Sequence, residues 1–72
     1  MTEKEELLEA YRKELHNIAM AKDPLAAEMA MRKARIYVGE LKNKVSDKDI
    51  ADMYETVSVF LWRADRRIAE GI

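Results

Sequence analysis

Apolar residues recur at steps of three and four along three segments of the chain. Leu8, Tyr11, Leu15 and Ile18 form the first series. Ala27, Met31, Ala34, Val38, Leu41 and Val45 form the second, and Ile50, Tyr54, Val57, Leu61, Ala64 and Ile68 the third. A period near 3.6 puts each series on one face of a helix. Alternation of the kind a strand needs occurs only at Thr56-Val57-Ser58-Val59, where β-branching softens a helix without replacing it. Helices are therefore expected near 3–21, 24–43 and 47–70.

Start signals support these bounds. Thr2-x-x-Glu5 is a capping box, followed by acidic residues suited to the positive end of a helix dipole. Asp23 can cap the second helix, with Pro24 at the first helical position, where a missing N–H costs nothing. Ser46 with Asp49 resembles a further capping box, with Val45 and Ile50 placed as a hydrophobic staple over it. The breaks at 22–24 and 43–46 are short, and short connections make consecutive helices antiparallel. The expected fold is all-α, an up-down-up three-helix bundle forming one domain over 1–72. Ala26, Ala27, Ala30 and Ala34 let neighbours approach the second helix closely. Gly39 within it costs about 1 kcal/mol relative to alanine and suggests close packing or a partner's approach.

Composition narrows the possibilities. Of 72 residues, 49% are hydrophobic, which argues against disorder. A chain this short rarely nets more than about 3–5 kcal/mol from its core without a staple. It has no cysteine and one histidine, His16, so disulfides, thiolate metal sites and multi-histidine sites are excluded. What remains is regular helix packing or oligomerisation. Thirteen basic residues against fourteen acidic ones give a net charge of −1 and no overall pull toward nucleic acid or anionic lipid. No apolar run approaches the length of a membrane span, and the acidic N-terminus does not resemble a secretory signal. The expected location is cytoplasmic.

No catalytic, cofactor or metal set emerges. His16 has no partner at a triad-like or ligand-like spacing. Asp47-x-Asp49-x-x-Asp52 lacks the turn glycine and terminal glutamate of a calcium loop, and reads instead as first-turn acids of a helix. There is no glycine-rich loop for a phosphate. No small-molecule ligand is expected.

The informative residues are apolar ones off the core faces. Val59 and Trp62 fall opposite the Ile50–Leu61–Ile68 stripe, with Arg66 beside them and Arg63 at the rim. Leu25, Met29 and Ile36 make a second stripe on helix 2, and Met20 points away from Leu15 on helix 1. Tryptophan, methionine and arginine on an exposed apolar face suit a protein interface. The expected function is a small regulator or inhibitor, bacterial or phage in type, that binds itself as a homodimer or higher oligomer, another protein, or both. The alternative is a nucleic-acid-associated protein using the clusters Arg32/Lys33/Arg35 and Arg63/Arg66/Arg67, which the balanced charge argues against.

Ser46-Asp47-Lys48-Asp49-Ile50-Ala51-Asp52-Met53-Tyr54 resembles a helix-start segment of the Hha family, small bacterial modulators of nucleoid-associated proteins. The resemblance spans nine of 72 residues and implies a capped helix start. The function of that family is not carried over.

Overall fold

The computed structural model describes residues 2–71, so Met1 and Ile72, included in the domain expected from the sequence, lie outside it. Three helices, α1 (Glu3–Met20), α2 (Pro24–Glu40) and α3 (Asp47–Glu70), pack as an antiparallel bundle with no strand among the described residues. Its extents are 40 × 23 × 13 Å. Each helix begins at the expected cap. The Glu5 amide donates to Thr2 Oγ1 at 3.1 Å while Glu5 Oε1 accepts from the Thr2 amide. The Ala26 amide donates to Asp23 Oδ1 at 2.8 Å, and the Asp49 amide to Ser46 Oγ at 3.1 Å.

The ends differ from expectation more than the starts do. Helix α1 stops at Met20, one residue early, and α2 stops at Glu40, three residues early. At the end of α2 the Leu41 amide is shared between the Tyr37 and Val38 carbonyls, and the chain leaves through a turn whose Val45 amide returns to the Leu41 carbonyl. Leu41 stays fully buried in that turn. The β-branched run of α3 remains helical. The Thr56 hydroxyl donates to the Asp52 carbonyl at 2.8 Å, a back-bond that occupies its polar atom within the helix.

Alanine lines the centre of the bundle. Ala27, Ala30 and Ala34 of α2 are buried, with Val38 next along the stripe, and they meet Tyr11 and Ile18 of α1 and Val57 and Ala64 of α3. Ala26, expected among them, is exposed and serves the cap instead. Small side chains let helix axes approach, so the core is thin. Its largest fully buried side chains are Ile18, Leu41, Val38 and Val57.

Three positions correct the expected faces. Glu14, not Leu15, shares the buried seam of α1 with Tyr11 and Ile18; Leu8 and Leu15 lie half-buried at its edge. The Glu14 carboxylate accepts from Asn17 Nδ2 at 3.1 Å. On α3, Tyr54 sits at the rim, 37% exposed, with the Arg35 guanidinium 5.9 Å above its ring. Phe60, which no series included, packs against the core.

The packing bears on two substitutions. A Cβ at Gly39 would meet the Tyr54 hydroxyl at 3.8 Å, an ordinary contact, so no close approach demands glycine there. Gly39→Ala should raise stability by about 1 kcal/mol in thermal melts, through helix propensity and a less flexible unfolded chain. Tyr11, 6% exposed, donates its hydroxyl to the Met53 carbonyl at 3.1 Å. Burial raises its pKa above the ordinary value of 10.0, with the Thr56 hydroxyl working the other way. The unfolded chain therefore loses this proton first, and Tyr11 favours unfolding progressively above pH of about 10. In urea melts Tyr11→Phe should lose about 1 kcal/mol at neutral pH for the missing hydrogen bond. That deficit should shrink in strong alkali; a deficit unchanged with pH would contradict the assignment.

Candidate functional site

Helical phase decides what each helix leaves at the surface. Helix α2 buries Ala27, Ala34 and Val38, so Leu25, Met29 and Ile36 stand on its opposite side, each more than half exposed. Helix α3 buries Val57 and Ala64, leaving Val59 at 36% and Trp62 at 59% exposure on its outward face, with Arg63 and Arg66 also exposed. Met20 is 64% exposed at the end of α1. Every residue singled out from the sequence is thus at the surface. They are spread over three helices. Val59, Trp62, Arg63 and Arg66 do share α3.

Trp62 carries the largest exposed apolar area of this set. The Arg66 guanidinium lies 5.4 Å from its ring centre while Arg66 Nε reaches Glu70 Oε2 at 3.2 Å. The cation–π contact and the exposed i,i+4 pair hold the indole at the surface without covering it. Toward α1, α3 borders open grooves. One is lined by Ala19, Phe60, Arg63, Ala64 and Arg67; another runs between Leu8, Arg12 and Leu15 of α1 and Met53 and Thr56 of α3. Helices α1 and α3 pack least on one another, which leaves these grooves open. Neither encloses a chamber of the kind small-molecule sites use.

The basic clusters are largely engaged within the chain. Arg32 pairs with Glu28 at 3.4 Å, Arg35 lies over Tyr54 and Arg66 meets Glu70. Arg67 donates to the Ala19 carbonyl at 2.9 Å and the Ala21 carbonyl at 2.8 Å. Helix α1 has no basic residue in its own last turn, so Arg67 of α3 supplies the positive charge and the donors for its C-terminal carbonyls. This bond also fixes the ends of α1 and α3 at the same pole. Sequence reading placed Arg67 in a nucleic-acid cluster; its partners are backbone atoms distant in the chain, which leave no mark on the local pattern.

His16 is exposed on α1. Among the described residues no group of three or more His, Asp or Glu side chains could hold a metal ion, and no helix is long and apolar enough to cross a membrane. No protein-family model matches the chain, and no curated protein or solved structure does. The likeness of Ser46–Tyr54 to a Hha segment therefore confers no family membership.

Arg67→Ala should lower stability by about 1–2 kcal/mol in denaturant melts, the value of two charge-assisted hydrogen bonds at a partly exposed helix end. Arg63→Ala, one turn away and without such bonds, should change it by less than about 0.5 kcal/mol.

Proposed function

We propose that this chain is a non-enzymatic protein–protein interaction module, regulatory in type, that works by burying the outward face of α3 around Trp62 and associates with itself. The observation that carries the reading is an inversion of size between inside and outside. Apart from Tyr11, the buried side chains are no larger than isoleucine and leucine, while the one tryptophan stands in solvent beside Val59. Leu25, Met29 and Ile36 add apolar surface on α2. Isolated apolar side chains on a surface are ordinary, but a tryptophan flanked by arginine is the composition of an interface anchor. The mechanism is steric: a partner's surface is covered, with affinity from a few desolvated anchors at the centre.

The thin core supports self-association in particular. A bundle of this length gains little from its own interior, and a second copy extends the buried area without disulfide or metal. The nucleic-acid alternative draws on six basic residues, of which Arg32, Arg35, Arg66 and Arg67 already have partners in the chain. With a net charge of −1 the field that would gather phosphates is missing. Salt separates the two readings, because phosphate contacts weaken steeply with ionic strength and apolar burial does not.

Trp62→Ala should weaken association about tenfold or more in sedimentation equilibrium. In dilute solution its melting should move by less than about 0.5 kcal/mol, as for a surface substitution. Parallel loss of association and helicity would mean that the indole stabilises the fold instead.

A further inference from the structure

The charges on the outward face of α3 follow a pattern that selects one way of pairing. Lys48, Asp52, Glu55, Val59, Arg63, Arg66 and Glu70 are all exposed on this helix. Their spacing keeps them within one face opposite Val57 and Ala64. Val59 is the midpoint. Four residues to either side stand Glu55 and Arg63, at seven Asp52 and Arg66, and at eleven Lys48 and Glu70. At every step the two equidistant residues carry opposite charges.

We propose that two copies of this chain pair through α3 in antiparallel fashion about a two-fold axis at Val59. The inference rests on the interaction reading above and gives it a partner and a geometry. A two-fold axis perpendicular to α3 brings each residue opposite the one equally far from the midpoint. Asp52 of one copy then faces Arg66 of the other, Glu55 faces Arg63, and Lys48 faces Glu70, each pair occurring twice. Val59 meets its own counterpart at the centre. The two Trp62 side chains flank that contact, one turn to either side, and cover it from water. A parallel pairing would set Asp52 against Asp52 and Arg66 against Arg66, so the same charges that favour one orientation oppose the other.

The present partners of these residues do not prevent the exchange. Arg66 meets Glu70 at 3.2 Å, with both side chains more than 60% exposed. An exposed pair of this kind contributes little, so Arg66 can keep Glu70 at its side and accept Asp52 of the second copy across the interface. Arg67 takes no part; it is committed to the end of α1.

Charge reversal tests the geometry. Asp52→Arg and Arg66→Asp are prepared separately, together in one chain, and as an equimolar mixture of the two single variants, with circular dichroism melts to confirm folding. Association is measured by sedimentation equilibrium. Each single variant should self-associate about tenfold more weakly than the unaltered chain. The mixture should recover the original affinity as a heterodimer. In it, positions 52 and 66 are both basic in one variant and both acidic in the other, so every cross-interface pair is again of opposite charge. The double variant should also recover the affinity. If a reversal unfolds the chain, Glu55→Arg with Arg63→Glu provides a second matched set. Single variants as tight as the unaltered chain, a mixture no tighter than its components, or an unaltered chain monomeric at millimolar concentration would each overturn the pairing. Association that needs Trp62 yet ignores every charge reversal would overturn this arrangement while leaving the broader interaction reading in place.

Discussion

Alanine at positions 27, 30 and 34 sets how closely α1 and α3 can lie against α2, and the rest of the molecule follows from that spacing. Side chains this small bring backbones together and leave little interior volume between them. The space that remains admits Ile18, Val38 and Val57 and is closed at one end by Leu41. Among the described residues Tyr11 is the one aromatic side chain buried in it, and Trp62 stands outside. Tight spacing at the centre therefore leaves the chain with more apolar side chain than its own core can take up, and the surplus stands on the outward helix faces.

Polar groups are fitted to the same thin frame. Tyr11 reaches across to the Met53 carbonyl, and Arg67 reaches back to the last carbonyls of α1. Both tie α1 to α3, the pair of helices that packs least. These bonds hold α3 in the phase its apolar period sets, with Val57 and Ala64 inward. Val59 and Trp62 lie on the other side of the same helix and are therefore left at the surface. The charges flanking Val59 belong to that surface and give it polarity along the helix as well as apolar character.

Much of this was legible in the sequence. Helix starts were, because Thr2, Asp23 and Ser46 announce themselves through short side chains that accept backbone amides, and α3 spans the expected 47–70. The outward phase of Trp62 and Val59 also followed from period alone. Helix ends were less legible: α2 stops at Glu40, ahead of the expected break at Asn43, by a turn that contains no glycine, so nothing in Leu41-Lys42 distinguishes it from another helical turn. Glu14 was missed because a carboxylate is ordinarily assigned to solvent, although it lies three residues from Tyr11 and four from Ile18 on the same seam. Whether the outward apolar residues form a single surface could not be read from separate helical wheels. That depends on where the helices stand around the core.

The chain has one tryptophan, so its fluorescence reports on the outward face of α3 alone. Emission and acrylamide quenching of Trp62 across a dilution series test the phase of that helix and its use together. A solvated, readily quenched indole at low concentration should become blue-shifted and shielded as concentration rises, with helicity unchanged. An indole shielded at every dilution would place it inside the monomer, and one exposed at every concentration would show that no second copy covers it; either result contradicts a self-associating α3 face.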